Sequence, residues 1–237
     1  MSASPSRPRV LVVSNRLPFS VQRTDKGVEL VPSAGGLVSA LSGYLERRKT
    51  EQPDVEFVWA GWSGADLSAE ETEQLRDAAR EQHGAYPLSL DSADMDSFYH
   101  GFCNGTLWPL FHYFPSYATF EERDWETYRR VNQRFGDELA ALVRPGDEIW
   151  IHDYQLLLLP GLLRKLLPDA SIGFFLHIPF PSFEVFRQLP TRWRGELLQG
   201  VLGADLMGFH THDDAQHFLH SVFRTLGYEH YLGRINV

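Results

Sequence analysis

Two patterns alternate along this chain. Short, mostly apolar runs predict strands covered on both faces: "VLVVS" (10–14), "FVWAG" (57–61), "DEIWIHDY" (147–154), "SIGFFLHI" (171–178) and "DLMGFH" (205–210). "YPLSL" (86–90) predicts a further short strand. Between them, apolar residues recur at helical spacing over 36–48, 68–82, 120–143, 155–167, 192–204 and 211–227. Ser68 with Glu71 three residues later reads as a capping box, and Thr211 with Asp214 marks a second helix start. Pro160 falls early in the helix predicted over 155–167. "VQRTDKGVEL" (21–30) sets Asp25, Lys26 and Gly27 between alternating flanks and predicts a hairpin after the first strand. Strands alternating with helices predict an α/β fold, a Rossmann-like parallel sheet with helices on both faces. No repeat, low-complexity tract or linker divides the chain, so residues 1–237 are expected to form one domain.

The totals narrow the function. With 43% hydrophobic residues, 237 residues suffice for a sizeable core. A net charge of -9 argues against a nucleic-acid partner, which clustered Lys and Arg would meet, but leaves room for a small anion held locally. Cys103 is the one cysteine, so no internal disulfide is possible, and a reducing, cytoplasmic setting fits best. The N-terminal "MSASPSRPR" is polar and lacks the apolar stretch of a secretory signal; it is expected to be a frayed tail. No membrane association is expected, because the longest apolar run, 156–167, is broken by Pro160, Arg164 and Lys165.

In open parallel sheets, ligands bind beyond the carboxyl ends of the strands. "SNR" (14–16), "HDY" (152–154), His177 and His210 all fall there. Arg16 is a two-pronged donor suited to phosphate, and Gly35 and Gly36 open a helix whose N-terminus favours an anion. The plainer alternative is an Arg16–carboxylate pair beside an ordinary turn. Asp153 and His177, at neighbouring strand ends, have the chemistry to bind sugar hydroxyls or polarise a reacting group; they also fit a buried structural pair. Among the aromatics of "GWSG" (61–64) and 98–113, Trp62, Tyr99 and Trp108 are candidates to stack on a sugar. Most of that aromatic segment reads as core. Trp62 is the exception, a bulky ring between glycines past a strand end, where burial is not expected. His217 and His220 are read as one partly exposed helix face rather than metal ligands.

These residues sit in longer matches: "VVSNRLP", "SAGGLVSAL", "WAGWSG", "FCNGTLWPLFHY", "IWIHDYQLLLLP", "GFFLHIPFPS" and "LGADLMGFHT". In order and content they resemble the trehalose-6-phosphate synthases of glycosyltransferase family 20. The resemblance covers most of residues 9 to 212. It implies a GT-B fold, two Rossmann-like domains facing across a cleft, of which this chain would be the N-terminal, acceptor-binding one. The nucleotide-sugar domain would be absent, and this piece alone inactive. The implied reaction moves glucose from UDP-glucose to glucose 6-phosphate, with retention of anomeric configuration and without a metal or cofactor. By the same resemblance, Arg16 contacts phosphate and Gly36 approaches the donor phosphate through its backbone. Trp62, Tyr99 and Trp108 shape the glucose 6-phosphate pocket, Asp153 holds acceptor hydroxyls, and His177 lies beside the donor sugar. An oligomer is compatible with the sequence. Three alternatives remain: a glucosylglycerol-phosphate synthase, a pseudo-glycosyltransferase of the family, or a non-catalytic phosphosugar-binding domain. The segment 17–36 is longer than in the family's shortest members, which leaves the loop beside Arg16 open.

Overall fold

The apolar runs become a six-stranded parallel sheet in the computed structural model, which describes residues 8–24, 27–32, 36–65, 69–88 and 90–236. In chain order, β1 (Arg9–Arg16) leads into an antiparallel hairpin, β2 (Phe19–Thr24) and β3 (Gly27–Pro32), then α1 (Gly36–Glu51), β4 (Glu56–Trp62), α2 (Ala69–His83) and β5 (Ala85–Leu88). A helical stretch follows: α3 (Ser92–Met95), a π-helix (Asp96–Leu107) and α4 (Trp108–Phe111), then the long α5 (Glu122–Leu142). The second half runs β6 (Glu148–His152), α6 (Leu159–Leu166), β7 (Ser171–Phe175), α7 (Phe183–Phe186), α8 (Thr191–Val201), β8 (Leu206–Gly208) and α9 (His212–Leu226). It closes on a small ribbon, β9 (His230–Tyr231) and β10 (Arg234–Ile235).

The sheet order is β5-β4-β1-β6-β7-β8. Every neighbouring pair in it is parallel. After β1 the chain builds outward through β4 and β5. It then returns to the other side of β1 and builds outward again from β6. The direction therefore reverses between β1 and β6, the position at which open α/β sheets form a ligand crevice. Both faces are covered, as the continuous apolar runs require. Leu11, Val13, Ile149, Ile151 and Phe174 face a large core roofed by the π-helix, α5, α6 and α8. Val12, Phe57 and Trp59 face a smaller one under α1 and α2. At the opposite edge of the sheet, Arg9 grips Asp147 through Nε at 3.0 Å and also donates to the Leu142 carbonyl. That pair ties the start of β1 to the entry of β6.

Sequence signals account for most element ends. Thr211 and Asp214 form the expected capping box on α9, which stops at Gly227 in the left-handed conformation (φ 77°). The helix expected over 155–167 begins only at Leu159. Tyr154–Leu156 forms a tight 3₁₀ turn first, and Pro160 takes a place in the first helical turn, where its missing N–H costs nothing. The strands expected to reach Ile178 and His210 end at Phe175 and Gly208, so both histidines lie on the turns just beyond. Ser68, Asp25 and Lys26 lie outside the described residues. Among the described residues no helix is long and apolar enough to cross a membrane.

The helical stretch 92–111 has no counterpart in the sequence reading. Its middle turns bond i→i+5, so side chains do not repeat at the 3.6-residue period that reveals an α-helix. Gly101 lies tight against the Asp124 carboxylate, which would have to shift to admit a Cβ there. Phe98, Phe102 and Leu107 are fully buried, as expected for that aromatic run.

Candidate active site

Asp153 follows the last residue of β6, and its backbone is strained. Its φ of 77° and ψ of 169° belong to a region that only glycine enters readily, at a cost of roughly 1–3 kcal/mol for other residues. Surrounding bonds hold it there. Asp153 N–H donates to the Phe175 carbonyl (2.9 Å), and its Oδ1 accepts from the backbone N–H of Tyr154 (3.0 Å) and of His177 (3.1 Å). One carboxylate oxygen thus stitches the ends of β6 and β7 together. The other, Oδ2, bonds to no described residue. Burial raises the Asp153 pKa to about 6, against the pull of the two backbone donors and of His210 and His112. At neutral pH it is mainly ionised, with one oxygen available to accept from a ligand.

His177 stands beside it, half-buried. Its Nε2 lies 3.0 Å from Nδ1 of His152, a fully buried ring. His210 and His177 form a T-shaped pair at 5.8 Å between ring centres, and Phe175 packs at 4.6 Å. Burial lowers the His177 pKa to about 4, helped by His210, and that of His152 to about 3, helped by His177. Both rings are therefore neutral at pH 7, hydrogen-bonding groups rather than cations. His152 was not singled out from sequence. The signal was present in "HDY", but its pairing with His177 depends on the β6–β7 register, in which His152 faces Phe175.

Across the crevice, Arg16 ends β1. Its guanidinium lies over the Trp62 ring, 5.0 Å from the centroid, and no carboxylate among the described residues pairs with it. The end of β1 is fixed by a short relay: Trp59 Nε1 donates to Ser14 Oγ, and Ser14 Oγ donates to the Arg16 carbonyl, each at 2.7 Å. Both glycines of "GWSG" are needed. A Cβ on Gly61 would stand 2.6 Å from the Ser14 carbonyl oxygen; one on Gly64 (φ +82°) would crowd the Arg16 guanidinium at 3.1 Å. Trp62 corrects the sequence reading. It is the last residue of β4 and is buried at 6% exposure, because its ring joins the large core and supports Arg16.

The remaining candidates divide. Tyr99 is half-buried on the π-helix against the core, edge-on to His100. Trp108 is 42% exposed and stacks on His112 at 4.1 Å between ring centres. Gly36 opens α1, a 16-residue helix, whereas Gly35 lies outside the described residues. His217 bonds the Phe180 carbonyl through Nδ1 (3.1 Å) and His220 is exposed against Phe183, the helix-face role read from sequence. Among the described residues no three His, Cys, Asp or Glu side chains are grouped to hold a metal ion.

The family model "Glycosyltransferase family 20" matches residues 8–234. A bifunctional trehalose-6-phosphate synthase/phosphatase of Thermoproteus tenax is 46% identical over 231 residues, 97% of this chain and 31% of that protein. Among solved structures, a UDP-forming alpha,alpha-trehalose-phosphate synthase of Burkholderia xenovorans in complex with glucose-6-phosphate aligns with a TM-score of 0.74. It shares 30% identity and covers 96% of this chain and 48% of that one. A "trehalose-6-phosphate" protein from E. coli bound with UDP-2-fluoro glucose aligns at 0.73 with 32% identity, covering 96% and 47%. The chain spans less than half the length of each of these proteins. Its sheet order, its parallel strands and these solved neighbours agree on one Rossmann-like half of a GT-B architecture, and the chain belongs to glycosyltransferase family 20.

Proposed function

We propose that this chain is the acceptor-side domain of a retaining glucosyltransferase that moves glucose from UDP-glucose to glucose 6-phosphate, giving trehalose 6-phosphate and UDP. The observation that carries the reading is the β1–β6 crevice. A strained, half-buried Asp153 with a spare oxygen stands on one side, and an Arg16 without a carboxylate partner among the described residues stands on the other. A phosphosugar needs that combination, a cation for its phosphate and an acceptor for its hydroxyl protons. The ligands named for the two solved neighbours, glucose-6-phosphate and UDP-2-fluoro glucose, support it.

In this reading Arg16 holds the phosphate of glucose 6-phosphate, and Trp62 holds Arg16 in place. Asp153 Oδ2 accepts from the acceptor sugar. Tyr99 and Trp108 bound the pocket, and Gly36 at the start of α1 faces the donor phosphate. The acceptor oxygen bonds to the anomeric carbon as the bond to UDP breaks, and its proton passes to the leaving phosphate. Neutral His177 contributes a hydrogen bond beside the donor sugar. The domain's work is orientation and placement of charge.

Residues 1–237 alone should bind glucose 6-phosphate weakly and UDP-glucose negligibly, and should catalyse no transfer, because much of the grip on a nucleotide sugar would come from a second domain. Calorimetry with each ligand and a UDP-release assay test this. Glucose 6-phosphate binding should vanish in Arg16→Ala. Binding that is absent in the parent chain, or unchanged in that variant, would overturn the reading.

A further inference from the structure

His152 has no role in the proposed transfer, and its burial keeps it from any ligand. Its surroundings are nonetheless specific. Nδ1 lies 3.0 Å from His177 Nε2, whereas its own Nε2 is buried with no hydrogen-bonding partner among the described residues. The indole of Trp150 packs beside the ring at 4.4 Å between centres. A neutral imidazole in this place has two options. Either Nδ1–H donates to a bare His177 Nε2 and the blind end carries a lone pair, or the proton sits at the blind end as a buried N–H with no acceptor. Orphaned N–H groups are the rarer of the two in protein interiors.

We propose that His152 is a positioning residue: its Nδ1–H donates to His177 Nε2 and fixes His177 in the form that carries its proton on Nδ1. The consequence is felt at the crevice. His177 Nδ1 bonds to no described residue, so this nitrogen presents an N–H donor to whatever enters. It favours a ligand atom that accepts, a sugar hydroxyl oxygen or a phosphate oxygen, over a group that only donates. The two adjacent residues of β6 and its turn divide the task. Asp153 fixes the His177 backbone through the 3.1 Å bond to its N–H, and His152 fixes the proton on its ring. The inference rests on the transferase reading only for the identity of the ligand. The tautomer itself is a property of the free chain.

Long-range proton–nitrogen correlation spectra of the ¹⁵N-labelled chain at pH 7 test it directly. His152 and His177 should both show a protonated Nδ1 and a bare Nε2. His152→Asn, which keeps an amide N–H near the Nδ1 position, should leave His177 in that form. His152→Leu should release it into a mixture of both forms. Protonation of His177 at Nε2 in the parent chain would overturn the proposal, and so would an unchanged His177 signal in a folded Leu variant. If the Leu variant fails to fold, the parent and Asn spectra still decide. A failure of glucose 6-phosphate binding would remove the transferase reading and leave this result standing.

Discussion

Asp153→Asn isolates the cost of a buried carboxylate held in a strained turn. Asparagine keeps an oxygen for the Tyr154 and His177 N–H groups, and it tolerates positive φ about as well as aspartate does. What it lacks is titration. The Asp153 pKa rises from 3.8 to about 6 on folding because burial disfavours the charge. The folded protein therefore binds this proton more tightly than the unfolded chain. Its stabilising effect is complete below pH 3.8 and is lost as pH rises through about 6. Between pH 4.5 and 7.5 the loss amounts to about 2 kcal/mol, at roughly 1.4 kcal/mol per pH unit wherever the two states differ by a full proton. The opposite trend comes from His177 and His152, whose folded values are depressed; their stabilising effect is lost as pH falls. Those histidines are present in both proteins, so they largely cancel in the difference. Urea unfolding of both chains at half-unit pH steps measures it. Relative to Asp153→Asn, the parent should weaken by about 2 kcal/mol on going from pH 4.5 to 7.5. A flat difference would show that the carboxylate is well solvated. A difference of opposite sign would show a carboxylate held charged by a cation, and either outcome refutes the reasoning.

Asp147→Ala should destabilise the chain by about 3–5 kcal/mol in urea unfolding, since it strands the buried Arg9 guanidinium, whereas Glu122→Ala at the exposed Arg192 pair should change little. Gly200→Ala should cost about 1–3 kcal/mol or more, because the new Cβ would meet the Leu157 carbonyl oxygen at 2.6 Å and Leu158 Cα at 2.7 Å where α6 and α8 touch; a neutral outcome would mean the helices separate freely. Thermal unfolding of residues 1–237 should be one cooperative transition if the chain is a single domain, and two resolved transitions would divide it.

The fold was legible where burial is two-sided. "VLVVS", "FVWAG" and "SIGFF" are short, mostly apolar runs bounded by turns, too short for a helix and of the length of a covered strand. The same rule placed Asp153 and His177 at one sheet edge, and the β6–β7 register brings them into contact. The strain at Asp153 and the His152–His177 bond were not legible, because both arise from which strands become neighbours. The π-helix was hidden for another reason, a period that sequence templates do not contain. Trp62 was misjudged from its glycine neighbours. Those glycines serve the close approach of β1 and the room beside Arg16, and they leave the tryptophan free to be buried.

An acidic chain that binds a phosphosugar must solve a local problem, and the arrangement of its arginines shows how this one would do so. Arg9, Arg76, Arg129, Arg130 and Arg164 are each paired with carboxylates. Arg16 is instead stacked on Trp62, which orients a guanidinium without neutralising it. On the other side of the crevice, burial keeps His152 and His177 uncharged at neutral pH, so neither ring competes with Arg16 as a cation for the phosphate. In the proposed reading, charge recognition is thereby confined to the β1 end and hydroxyl recognition to the β6 and β7 ends. A phosphosugar could then lie across the switch point in one direction only. Orientation of that kind, rather than net charge, is what a transfer between two bound sugars demands.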